Sequence, residues 1–165
     1  METDEVDALV EAWRRERADL DLAPVEVFSR ISRLARLLDL ARRDAFTAES
    51  VEPWEFDVLA ALRRAGSPYQ LSPGQLLRET MVTSGTMTNR IDRLSERGLV
   101  ERSPDPGDRR GVLVGLTAAG KRAVDGAFET LLASERELLG ELSAAERREL
   151  AGLLKRLMRP LSEGA

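Results

Sequence analysis

Between Thr83 and Arg97 the sequence reads TSGTMTNRIDRLSER, a run of small polar and basic residues at helical spacing. On a helical wheel Thr86, Asn89, Arg90, Arg93 and Arg97 share one side. Met87, Ile91 and Leu94 fall at i, i+4 and i+7 on the other side and must pack inward. Asparagine pairs in two-pronged fashion with adenine, and arginine with guanine, on their major-groove edges. Short hydroxyls near the start, Ser84, Thr86 and Thr88, let such a helix enter a groove deeply, and its N-terminal amides suit a phosphate. The same residues would also serve an ordinary solvated helix face. The surrounding elements have to decide.

A second group lies a few residues on, at Asp108-Arg109-Arg110. On an extended segment Asp108 and Arg110 point the same way. A carboxylate there would hold the guanidinium outstretched, towards a narrow minor groove with its enhanced negative potential. Read blandly, the two form a surface ion pair contributing ~0–1 kcal/mol. Proximity to the polar helix favours the nucleic-acid role.

Other chemistries are poorly supplied. The 165 residues include no cysteine and no histidine, which excludes disulfides, thiol redox sensing and nucleophilic triads built on either residue. Zinc, copper and nickel lose their preferred ligands, so neither a metal nor a cofactor is expected. An enzyme would have to rely on carboxylate, lysine or tyrosine chemistry, with only Tyr69, Lys121 and Lys155 in the last two classes and Glu49, Glu52, Glu55 and Asp57 as an example of the first. That cluster also reads as the acidic start of a helix, stabilised by the helix dipole.

Charge is unevenly distributed. From Gly66 to Arg122 nine Lys/Arg face six Asp/Glu, while the whole chain carries −4. A basic middle between acidic arms fits a lobe that meets DNA on a helical scaffold. Apolar content of 42% suffices for a core, and with only seven aromatics leucine and valine must fill it. No apolar run approaches the ~20 residues that span a bilayer. No basic-then-apolar leader precedes the first helix, so no membrane partner and a cytoplasmic location are expected.

The elements that position these groups follow from periodicity and caps. Val6, Leu9, Val10 and Trp13 mark a short first helix that needs a partner. Pro24 opens a long one, with Val27, Phe28, Ile31, Leu34, Leu37, Leu38 and Ala41 forming a broad apolar stripe. Pro53 starts a helix ended by Gly66, and SPYQL reads as a loop. Ser72 caps a short helix from Pro73 to Thr80, MVTS turns, and Thr83 or Ser84 caps the polar helix, which stops at Gly98. LVERS and GVLVGLT are extended, with PDPGD as a loop between them. Thr117 then caps a long helix towards Gly140, and Ser143 a last one to about Met158 or Arg159.

The fold class expected is mainly α with a small β-hairpin wing: a winged helix-turn-helix lobe held between long N- and C-terminal dimerisation helices. Residues 1–45 and 123–165 are read as the dimerisation scaffold and 46–122 as the DNA-binding lobe. The stripe on the second helix, the run Val124, Phe128, Leu131, Leu132, and the stripe Leu150, Leu153, Leu154, Leu157 are more apolar surface than peripheral arms need. Patches of that size mark an interface, here a two-fold homodimer. The rival arrangement buries the three helices against one another within one chain. Trp54, Phe46 and Tyr69 lie near the junction of scaffold and lobe, and Arg30 or Arg33 could meet an anion. No residue is assigned to a ligand on that basis.

LSERGLVERSPDPGDRRGVLVGLTAAG closely resembles the winged-helix core of the MarR family of bacterial transcription regulators. The family's D-x-R wing appears as Asp108-Arg109-Arg110, and its L-T-x-x-G as Leu116-Thr117 and Gly120. SPGQLLRETMVTSGTMTNRIDRL resembles its helix-turn-helix, and the first helix looks like an extension carried by some members. The resemblance implies a homodimer on a pseudo-palindromic operator in double-stranded DNA. It further implies a repressor of nearby genes, released by a small-molecule effector of unstated identity. It assigns Arg110 to the minor groove and Asp108 to orienting it. Thr86, Thr88, Asn89, Arg90 and Arg93 match positions facing bases and phosphates; Ser84 and Arg109 complete the candidate set. The chain departs from peroxide- and metal-sensing members in lacking cysteine and histidine. The alternative function is a winged helix used for protein–protein contact without DNA specificity.

Overall fold

The computed structural model describes residues 3–162, apart from the side chains of residues 109 and 160–162. Two compact units divide the chain, Met1–Asp44 and Ala45–Ala165.

In the first unit, α1 (Glu5–Glu16) meets the N-terminal part of α2 (Ala23–Ala48). Asp4 caps α1, its carboxylate accepting from the Val6 and Asp7 amides while Asp7 reaches back to the Asp4 amide. Val6 and Val10 bury themselves with Leu22 and Val25, which supplies the partner so short a helix needs. Arg30 ties the pair from outside, bonding both Asp4 and Asp7, and Arg33 reaches Glu5. Both arginines named as anion candidates are therefore engaged by carboxylates at the start of α1. Along α2, Val27, Phe28, Leu34, Leu37 and Leu40 remain about half exposed.

The second unit contains α3 (Pro53–Arg64), β1 (Gln70–Leu71), α4 (Pro73–Thr80), α5 (Ser84–Glu96), β2 (Val100–Asp105), β3 (Asp108–Leu116), α6 (Ala118–Leu138) and α7 (Ala144–Ser162). Its core joins Val58, Leu59 and Leu62 of α3 to Leu76 of α4, Met87, Ile91 and Leu94 of α5, Val114 of β3 and Val124 of α6. The three inward residues expected of α5 are all at most 1% exposed. A smaller cluster joins Ala45 and Phe46 to Ala127 and Leu131, with Phe56 stacked on Phe46 at 4.3 Å between ring centres.

The structure corrects three expectations at the level of the fold. SPYQL is not wholly a loop: Gln70 and Leu71 pair antiparallel with Gly115 and Val114, giving a three-stranded sheet in the order β1-β3-β2. Val124 and Leu131, expected in a dimer face, are core residues of their own unit, while Phe128 of the same run is half exposed. The last helix does not stop at Arg159 but continues through Pro160. So close to a helix C-terminus, a proline forfeits one backbone hydrogen bond rather than breaking a ladder.

Glycine is required at Gly120. A Cβ there would lie 1.9 Å from the carbonyl oxygen of Leu99, the same oxygen that accepts from the Thr117 amide. The missing side chain lets the start of α6 rest on the backbone leading into β2. Gly126 differs: its space is filled by the flexible carboxylate end of Glu49, which also receives the Thr130 hydroxyl.

Candidate nucleic-acid interface

Helix α5 begins at a Thr83 cap whose Oγ1 accepts from the Thr86 amide and shares a 2.9 Å hydrogen bond with the Thr86 hydroxyl. Thr88 donates its hydroxyl to the Ser84 carbonyl. Ser84, Thr86, Thr88, Asn89 and Arg93 are exposed and Arg90 partly so. Among the described residues no side-chain hydrogen bond occupies Asn89. The buried stripe of Met87, Ile91 and Leu94 fixes which way this polar face turns. Met81 in the left-handed conformation (φ 52°) makes the turn from α4.

The arginines of this face divide into two kinds. The guanidinium of Arg93 lies 4.7 Å from the ring centre of Trp54, and that of Arg90 lies 5.7 Å from it. Arg97, grouped with them by the wheel, is exposed but reaches back towards α3 instead. It bonds the carboxylate of Glu55, 1% exposed, and the carbonyl of Ser50. A buried carboxylate needs such a partner, so part of the Arg97 guanidinium is committed to Glu55 while the side chain stays 42% exposed. Spacing alone could not separate it from Arg93.

The wing is tighter than expected. Pro104 and Asp105 belong to β2, so only Pro106 and Gly107 remain as the turn. Pro104 pairs with Val112 and Asp105 with Asp108, which leaves residues 109–111 as a bulge on β3. Asp105 accepts from the Gly107 amide at 2.8 Å and Asp108 from the Arg110 amide at 2.9 Å. Asp108 thus meets the backbone amide of Arg110, not its guanidinium as the sequence suggested. The bulge defeats simple alternation, and a Cβ on Gly111 would stand 2.9 Å from that of Asp105. Arg110 is exposed, and no ion pair engages it among the described residues. Of Arg109 only the backbone is described, within β3. Arg102 on β2 bonds Asp92 on α5 at 2.6 Å, tying the wing to the polar helix.

The acidic cluster disperses. Glu55 caps the Glu52 amide and pairs with Arg97, whereas Glu49 faces Gly126. Among the described residues no group of three or more acids could hold a metal. Tyr69 is occupied by the cations of Arg63 and Lys121, at 5.0 and 4.9 Å, and Phe46 is core.

Residues 50–111 match the MarR family. Over 157 residues the chain is 39% identical to the HTH-type transcriptional regulator PecS of Dickeya dadantii, covering 95% of each protein. The chain belongs to the MarR family. Its members are transcription regulators, which sets the enzyme reading aside. The fold of this MarR-family chain also matches solved structures. One is a mutant MarR from E. coli complexed with operator DNA (TM-score 0.66, 26% identity), covering 94% of this chain and 99% of that one. Another is BpsR of Bordetella bronchiseptica, whose DNA binding is regulated by 6-hydroxynicotinic acid (TM-score 0.64, 28% identity), covering 79% and 91%.

Proposed function

We propose that this chain is a cytoplasmic, homodimeric regulator that binds a pseudo-palindromic operator, represses nearby genes and is released by a small-molecule ligand. The observation that carries this reading is the outward face of α5. Ser84, Thr86, Thr88, Asn89 and Arg93 stand exposed there, in a family with a member crystallised on its operator. Asp108, Arg109 and Arg110 form the companion wing, with Arg110 directed at the minor groove.

The dimer is supported by apolar surface that the described chain leaves uncovered. None of the described side chains of α7 is buried, and Leu150, Leu153, Leu154 and Leu157 are 36–52% exposed. A helix of that kind gains most of its stability from packing. Residues 1–45 and 123–165 accordingly serve as the dimerisation scaffold and 46–122 as the reading lobe. Two lobes would meet half-sites about one helical turn apart, ~34–36 Å. The effector is supported by BpsR's response to 6-hydroxynicotinic acid.

The test is binding to a labelled duplex carrying the DNA that flanks this protein's own gene, beside a scrambled duplex, at two salt concentrations. Selective binding by a dimer whose log affinity falls linearly with log salt is expected. Binding to the flanking and to genome-wide captured fragments alike without selectivity or salt dependence would instead assign the winged helix to a protein partner.

A further inference from the structure

We propose that Trp54 is a positioning residue for the recognition helix, its indole holding Arg93 and Arg90 in the orientation from which they meet DNA. The proposal rests on the DNA-binding reading of α5. Both guanidiniums lie over one ring, at 4.7 and 5.7 Å from its centre. Trp54 is only partly buried and packs at the edge of the core, so one face of the ring is available to them.

The ring is itself well held. It follows Pro53, whose fixed φ suits the first turn of α3. The next residue is Glu55, which caps the Glu52 amide and is anchored by Arg97. Arg97 lies one turn beyond Arg93. The start of α3 and the arginine face of α5 are thus joined at two successive turns, by a charge pair and by a cation over an aromatic ring.

A cation–π contact suits the task because of what it leaves free. A guanidinium drawn to an aromatic face is held by the ring's charge distribution and spends none of its N–H donors on a carboxylate. An ion pair with a carboxylate would occupy those donors, as Glu55 does for Arg97. Arg93 on Trp54 keeps its fork for a guanine edge or a phosphate. Its long side chain is already partly ordered, which lowers the entropic cost of binding.

The experiment starts from Trp13→Phe, which leaves Trp54 as the single tryptophan. Without DNA, Arg93→Ala is expected to change the Trp54 emission, which reports the contact itself; the binding cycle below separates a positioning role from a structural one. Flanking-DNA affinity is then measured for Trp54→Leu and Trp54→Phe, each alone and combined with Arg90→Ala and Arg93→Ala. Trp54→Leu should weaken selective binding roughly three- to tenfold, Trp54→Phe less, and neither should cost more once the arginines are gone. Equal losses with and without the arginines would reduce Trp54 to a core residue, and tighter binding by Trp54→Leu would mean the ring restrains them; either overturns the proposal. Should Trp54→Leu not fold, Trp54→Phe carries the cycle, and absence of coupling there overturns it as well. Wild-type protein that binds no duplex selectively, while its Trp54 emission still responds to Arg93→Ala, overturns the DNA reading and this proposal together. Selective wild-type binding without coupling overturns this proposal alone.

Discussion

The carboxylate of Glu55, 1% exposed near the start of α3, is bonded by the guanidinium of Arg97, 42 residues later and just past the end of α5. The pair fixes the end of α5 to the start of α3. Arg97→Met should therefore lower stability by roughly 1–3 kcal/mol, less than a fully buried pair would cost because the arginine is partly in water. Urea unfolding measures this. An unchanged midpoint would mean that water reaches Glu55 once the arginine is gone.

Acid should loosen the first unit through Asp4. The Arg30 guanidinium bonded to it, with help from the Asp7 amide, pulls its pKa from 3.8 to about 2. A carboxylate depressed in the folded state contributes stability that is complete above its unfolded value and is lost as pH falls through the folded one. The window is thus from about pH 4 down to about pH 2. Asp4→Asn retains the cap and removes the charge. Its melting temperature should lie below that of the wild type at pH 5 and converge with it near pH 2; a gap persisting in acid would contradict the assignment.

Two glycines of α6 should respond oppositely to alanine. Gly120→Ala drives a methyl into the Leu99 carbonyl, where backbone must move, and should cost ~1–3 kcal/mol or more. Gly126→Ala meets only the end of Glu49, which can swing aside, so the helix gains up to ~1 kcal/mol from alanine's propensity. Thermal melts of the two variants decide, and a stable Gly120→Ala protein would show the helix start to be more plastic than described.

Arg110→Ala should leave the melting temperature nearly unchanged, and Arg93→Ala should lower it only slightly, since neither arginine holds an ion pair among the described residues and Arg93 loses only its contact with Trp54, worth ~0.5–1 kcal/mol. Both should weaken operator binding. A base contact by Arg93 would be worth ~1–3 kcal/mol and its loss would relax selectivity at one position. A phosphate contact would instead lower the salt slope by about one. Titrations of both variants at several salt concentrations separate the outcomes, and full affinity in both would remove these residues from the site.

Local signals are legible in the sequence and distant ones are not. Ser72, Thr83, Thr117 and Ser143 each sit one residue ahead of a helix they cap, because a cap is a contact across three residues. The inward stripe of α5 follows from periodicity alone. Strand β1 escapes such a reading because its two residues are ordered by partners more than forty positions away. The same distance hides the burial of Glu55, which at the start of a helix looks like an ordinary surface acid. Nothing in DPGDRRG announces a bulge, since the register shift depends on both strands at once. Trp54 can be seen as an aromatic at a junction, but its two arginines come from another helix.

Gly120 and the outer face of α5 are constrained by different things. At residue 120 the chain meets its own backbone, and no exchange of side chains elsewhere can make room. Asn89 is exposed, and no side-chain hydrogen bond among the described residues depends on it. Residue 89 can therefore be exchanged with the shape of the chain left as it was. Residue 120 has no such freedom, because the neighbour it would strike is backbone.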